Sequence, residues 1–202
     1  IAMAQDEDAT RCIEGCRYLI RFKTPEAREI QLSARDNPDP FVRAGVTHQV
    51  LGPQFKSFDA SILIPKLTLL LMDDPNRGVQ IAAADALGYS TSSDAVAPMM
   101  AKLIDPDIDS QFRYKICNAL TRLHINGVGQ QAMEGYLDNL ITATYAGCHY
   151  SSSLSLLREL NEAEAIRTFI ADSETADIAT RKKACQALAY FASADACRAI
   201  VA

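Results

Sequence analysis

The chain has 202 residues, of which 49% are hydrophobic and 22% charged, and its net charge at pH 7 is −5. These fractions are ordinary for a folded protein and argue against wholesale disorder. The acidic balance, without a run of Lys and Arg, argues against a nucleic-acid partner, and no apolar stretch is long enough to cross a bilayer.

The N-terminal part predicts two helices, at about residues 6–22 and 25–35. Asp6, Glu7 and Asp8 stand where a signal peptide would carry positive charge, so a cytoplasmic protein without membrane attachment is expected. Thr24 before Pro25 is a helix start, because its hydroxyl can cap the first turn. We predict that residues 1–35 form a capping helix pair.

An internal repeat follows. Residues 79–88 align without gaps on residues 112–121 and on residues 180–189, and residues 41–52 form a fourth, slightly longer copy. Each copy has a large residue, Arg or Gln, a small apolar pair, and an ending of Ala, Leu and a small residue in most copies. This spacing places the apolar positions on one face of a helix.

The repeat helices share their start signals. Residues 36–40, 73–76 and 105–107 each place Asp or Asn beside a proline, which predicts capping side chains. An acid also precedes the repeat arginine by four residues, which favours a helical ion pair; the alternative is that the arginine bridges to the neighbouring repeat. The pairs are Asp39 with Arg43, Asp109 with Arg113, and Asp177 with Arg181, and Asn76 with Gln80 is a neutral equivalent.

Shorter second helices are predicted between the repeat helices. Their approximate ranges are residues 59–72, 94–104, 130–143, 162–171 and 194–202. A helix–turn–helix unit recurring about every 33–37 residues is typical of a helical solenoid. We therefore predict an all-α fold, an α-solenoid of about five to six antiparallel helix pairs, with residues 36–202 forming one continuous repeat domain.

The segment from Asp74-Pro75 through Val79-Gln80 to the Ala82–Gly88 ending resembles a HEAT repeat, and is most similar to the HEAT-like repeats of the phycobilisome lyase type. The resemblance covers residues 36–123 and, less fully, 174–192; residues 145–172 keep helical periodicity but lack the Arg and the Ala-Leu-Gly ending. It implies a superhelix of stacked helix pairs. Its narrower form implies, as an alternative function, a bilin lyase-like factor with a phycobiliprotein as partner.

The residues that could carry chemistry do not assemble into a known motif. Cys12 and Cys16 share a helix face, but no further ligands complete a zinc site. HEAT-repeat hydroxylases bind metal through His-Glu dipeptides, and none of His48, His124 and His149 is followed by Glu. Signatures for nucleotide binding and for hydrolases are absent, and a glycosylase would need a basic face. No metal, cofactor or catalytic residue is predicted.

The expected function is that of a scaffold or adaptor that binds another protein through the concave face lined by the second helices. The irregular segment 144–153 contributes to the predicted contact surface, because tyrosines anchor interfaces; its alternative interpretation is a helix joint with a serine-rich start. The second-helix lysines, which are expected to be exposed, complete the surface. The candidate contacts are Lys66, Lys102, Tyr145, His149, Tyr150 and Arg158.

Overall fold

The computed structural model describes residues 1–22, 24–49, 63–147, 150–175 and 177–191, apart from the side chains of residues 150 and 151. Within these residues the chain forms α-helices and no strand, which confirms the all-α prediction. The helices are α1 (Ala9–Leu19), α2 (Pro25–Ser33), α3 (Pro40–His48), α4 (Ile64–Asp73), α5 (Arg77–Leu87), α6 (Val96–Leu103), α7 (Ser110–Ile125), α8 (Gln130–Glu134), α9 (Leu137–Tyr145), α10 (Tyr150–Ser173) and α11 (Ile178–Phe191).

Capping side chains begin the repeat helices. The carboxylate of Asp39 accepts a hydrogen bond from the Phe41 amide at 2.8 Å, and Asn76 caps α5 in the same way. The cap of α7 is Asp109, whose carboxylate lies 2.7 Å from the amide nitrogen of Phe112. The predicted start signals are therefore confirmed for α3 and α5, whereas α7 begins a little later than the segment 105–107 predicts.

A second turn motif precedes α3, α5 and α7. The side chains of Asn37, Asp74 and Asp105 each accept a hydrogen bond from the backbone N–H two residues later, at 2.9, 2.8 and 2.9 Å. A proline follows each of these residues, and its fixed φ favours the turn. Three successive repeat helices are thus entered through the same local geometry.

The helices pack in two rows. In the first row α1 packs on α3, α3 on α5, and α5 on α7; in the second row α4 packs on α6, and α6 packs on α8 and α9. The α4–α5 and α6–α7 contacts join the rows, and α10 packs on α7, α9 and α11. The α5–α7 crossing is close, because a Cβ on Gly88 would lie 2.8 Å from the Cα of Ala119.

Two hydrophobic cores lie between these helices. The larger runs from Leu63 on the turn before α4 to Phe191 at the end of α11. The smaller joins α1 and α2 to α3, which contributes Val42 and Val46. The predicted capping pair therefore shares its core with the first repeat helix. The division at residue 35 stays a prediction.

Some predicted elements differ from those observed. The helix expected at 130–143 is interrupted at Gly135 and Tyr136, giving α8 and α9. Helix α10 is broken at Asn161, whose side chain caps the amide of Glu164, so its second part begins near the predicted position 162. The predicted helix at 194–202 and the first residues of the one at 59–72 lie outside the described residues.

The hydropathy of the helices bears on their environment. Over the part of the chain that the structure describes, no helix has the length and apolar character needed to span a membrane.

Candidate functional site

The two candidate lysines of the second row are both paired within the chain. Half-buried Lys66 forms an ion pair with Asp36. Lys102 is buried, with 6% of its surface exposed, and its Nζ lies 2.8 Å from Oδ2 of Asp105. The prediction that Lys102 is exposed is therefore wrong, because a carboxylate one turn later neutralises the ammonium group. Bonds from Lys102 and from the Asp107 amide hold the pKa of Asp105 below its usual value.

Tyr145 is engaged by the C-terminal helices. Its hydroxyl donates to Oδ2 of Asp172 at 2.5 Å, and its ring meets the Phe169 ring edge-on at a centroid distance of 5.8 Å. Its carbonyl accepts a hydrogen bond from Lys183. This ring therefore holds α9 against α10. His149 and the Tyr150 side chain lie outside the described residues.

Arg158 is exposed but also has partners. Its guanidinium donates to the Tyr190 carbonyl at 2.9 Å, lies 4.9 Å from the centre of the Tyr190 ring, and approaches Glu162 at 3.3 Å. The structure thus places Lys66 and Lys102 on α4 and α6, and Tyr145 and Arg158 at the contacts that α9, α10 and α11 make with one another. A binding role for these residues stays a prediction.

The repeat arginines do not pair with the acids four residues before them. Arg43 instead forms a two-pronged ion pair with Asp74, at 2.8 and 2.9 Å, and donates to the Asn37 and Pro38 carbonyls. The alternative of a bridge to the neighbouring repeat is therefore observed at Arg43.

The equivalent side chains in α5 and α7 bind backbone. Gln80 donates to the Asp74 carbonyl at 2.8 Å, and Arg113 donates to the carbonyls of Leu103 and Asp105. In α11, Arg181 is exposed and forms no ion pair with Asp177. The repeated polar position thus satisfies the turn before its own helix in α3, α5 and α7.

Several exposed side chains of α4 and α6 are uncharged. Leu69 is 56% exposed and Ile104, at the end of α6, is 42% exposed. We name this group of side chains the stripe. Its exposed members are Pro65, Leu69, Ala97, Ala101 and Ile104.

Sequence reasoning missed the stripe, although a signal exists at Leu69. The buried face of α4 is already filled by Leu67, Leu70 and Leu71. Leu69 is therefore an apolar residue outside that face. A helix whose apolar residues exceed one face exposes the surplus to solvent or to a partner.

A polar cleft of about 260 Å³ lies where α5 begins and α6 ends. Both of its cationic side chains are held by neighbouring groups. Arg77 donates to the Gln80 side chain at 3.0 Å and to the Asp107 carbonyl at 3.2 Å, and Lys102 is held by Asp105. These bonds make the cleft a joint between neighbouring repeats.

The N-terminal thiols are buried. The Sγ of Cys12 lies 3.1 Å from the Ala4 carbonyl oxygen, and burial raises the pKa of Cys16 to about 12. A protonated thiol is a poor metal ligand and nucleophile. Among the described residues, no group of three or more His, Cys, Asp and Glu side chains could hold a metal ion.

Neither a scan against protein-family models nor a search of curated proteins finds a significant match for this chain.

Proposed function

We propose that the chain is a protein-binding helical-repeat scaffold and that the stripe forms part of its contact surface. The supporting observation is the run of exposed, uncharged side chains on two helices that pack together. Burying apolar area contributes about 25 cal/mol per Å², and contiguous apolar patches on monomeric proteins often mark binding sites. Leu69 and Ile104 supply the largest exposed side chains of this run.

In this proposal the two rows are the layers of a HEAT-type superhelix. The repeated turns at Asn37, Asp74 and Asp105, together with the contacts from α1 to α7, support that architecture. The second row would then line the concave side, where such proteins commonly bind a partner's helix or loop.

The test uses Leu69→Ser and Ile104→Ser, alone and together. Photo-crosslinking from residues next to the stripe in the source cells should capture a protein, and the double variant should lose it while circular dichroism stays helical. A matched control is Ile125→Ser with Ile178→Ser, which removes two isoleucines exposed outside the second row. Partner capture that survives the stripe variant, or that is lost only in the control, overturns the proposal.

The bilin alternative has its own readout. A bilin lyase-like or phycobiliprotein-handling factor should shift the absorbance of added phycocyanobilin, whereas a scaffold that binds only protein should not.

A further inference from the structure

The second row also carries four exposed acidic side chains, which we name the frame. Asp73, Asp94, Glu134 and Asp138 are all exposed. Asp73 lies four residues after Leu69 on α4, so both face the same side of that helix. Asp94 lies in the turn directly before α6, and Asp138 lies on α9, which packs on α6.

The basic residues of this row do not offset the frame. Helices α4, α6, α8 and α9 and the turn at Ser93–Ala95 contain two cationic side chains, Lys66 and Lys102. Each is neutralised by its own carboxylate, Asp36 for Lys66 and Asp105 for Lys102. The charges left for a partner on this surface are therefore negative.

We infer that the partner segment is an amphipathic helix whose apolar face meets the stripe and whose flanks carry Lys or Arg. This inference rests on the proposed function and specifies the chemistry of its partner. An apolar centre framed by one sign of charge selects a ligand with the same centre and the opposite frame. An anionic lipid surface, a nucleic acid or an acidic helix would bring like charges together.

The stripe side chains also have sizes that suit a bound helix. Ala97 and Ala101 lie one turn apart on α6 and Ile104 follows at its end, whereas Leu69 lies on α4, which packs on α6. Small side chains let a helix approach closely, and larger ones beside them contact its flank. A helix bound there presents residues at helical spacing, with cations at the edges of its apolar face.

The experiment titrates defined peptides against the full chain. The probe is an amphipathic peptide of about 15 residues with Leu on one face, Lys on the other and one Trp. Because the chain has no Trp, the peptide's emission reports binding. A peptide with Glu in place of Lys, and a scrambled Leu–Lys peptide of the same composition, serve as controls. We expect the Leu–Lys helix to bind far more tightly than both.

Charge variants separate the frame from the overall charge. Asp73→Asn, Asp94→Asn and Asp138→Asn together remove three negative charges from the second row, and Glu14→Gln, Glu26→Gln and Glu29→Gln remove three exposed ones from α1 and α2. The first triple variant should raise the Kd of the Leu–Lys peptide about tenfold or more, and the second less than about twofold. The difference should shrink at high salt, which screens exposed charges.

Each other outcome has a distinct meaning. Equal loss in both triple variants, or tight binding of the scrambled peptide, shows attraction to net charge alone and overturns the inference. Absence of peptide binding also overturns it. If the Glu peptide binds, and Leu69→Ser with Ile104→Ser abolishes that binding, the partner chemistry is wrong while the proposed function stands. The proposed function fails separately, when the stripe variant keeps its crosslinked partner.

Discussion

At the scale of single residues, the Arg43–Asp74 pair is a largely buried ion pair that links α3 to the turn before α5. The side chains are 12% and 4% exposed and meet through two bonds. Burial raises the pKa of Asp74, but the bonds from Arg43 and from the Asn76 amide outweigh it, so its pKa lies below the usual value. Removing Arg43 would leave a carboxylate buried without its cation.

Arg43→Ala should therefore lower the free energy of unfolding at pH 7 by about 2 kcal/mol. Because the Asp74 pKa is depressed in the folded state, its contribution is full above the unfolded pKa and is lost as pH falls through the folded pKa. The free energies of unfolding of the parent and the variant, measured by urea titration, should therefore converge as the pH falls into that acidic range. Arg181→Ala, at the equivalent exposed position, should change little. Equal stability of the Arg43 variant and the parent would contradict this role.

A second residue-level prediction concerns thiol chemistry. The pKa of Cys16 is raised to about 12 by burial, so its thiol stays protonated at pH 8. Iodoacetamide should leave Cys12 and Cys16 unmodified in the native protein and alkylate both in guanidinium. In the native protein, the half-buried Cys185 should react before either of them. Peptide mass spectrometry measures the sites. Rapid native alkylation of Cys16 would show that α1 opens readily.

Residue spacing can identify a side-chain interaction whose two partners lie a few residues apart in the sequence. The cap at Asp39 binds an amide two residues away, so spacing alone identifies it. The partner of Arg43 is Asp74, which lies 31 residues away. Arg43 binds Asp74 and not Asp39 because packing brings the turn before α5 against the Arg43 guanidinium. Asp105 lies only three residues from Lys102, so that ion pair is local. The burial of Lys102 depends on how the helices pack around it, which residue spacing does not show.

At the scale of elements, the close crossing of α5 and α7 requires a residue without a Cβ at Gly88. A Cβ on Gly88 would lie 2.8 Å from the Cα and Cβ of Ala119 and 2.9 Å from its carbonyl oxygen. Backbone atoms cannot yield cheaply, so the two helices would have to separate. The small residue at the end of the repeat is thus a packing requirement between neighbours.

Gly88→Ala should destabilise the protein by roughly 1–3 kcal/mol, as overpacking does. The control is Gly135→Ala, where the added Cβ finds its nearest neighbour at 3.5 Å. That change should be neutral, or stabilise slightly by restricting the unfolded chain. Thermal unfolding measures both variants. A Gly88→Ala variant with the same melting temperature as the parent would mean that α5 and α7 are less tightly packed than the geometry indicates.

Element types were easier to predict than their continuity. The repeat helices follow from periodicity, and the break at Asn161 agrees with a local cap that sequence can reveal. The interruption at Gly135 and Tyr136 was missed, because a glycine within a helical pattern is tolerated until tertiary packing decides. Placing the stripe required knowing which helix faces the neighbours had already covered.

At the scale of the whole molecule, the two cores differ in their side chains. The smaller consists mainly of Ala, Cys and Val beside Leu19, whereas the larger includes Phe112, Phe169 and many Leu and Met residues. Hydrogen exchange should therefore be faster in α1 and α2 than in α5 and α7, since local stability follows buried apolar contacts. Mass-spectrometric exchange measures the gradient, and equal protection throughout would indicate a single cooperative unit.

The cross-links along the first row have a mechanical consequence. Arg43 of α3 reaches Asp74 in the turn before α5, and Arg77 of α5 reaches the Asp107 carbonyl in the turn before α7. Arg122 of α7 reaches Asp85 of α5, so each of these three links joins neighbouring repeats. Joints of this kind act in series, and their compliances add along the chain. A load pulling the ends apart would therefore bend each joint slightly, and it would strain the softest one first. A ligand spanning α4 and α6 would stiffen the joints beside it and leave the distant ones as they were.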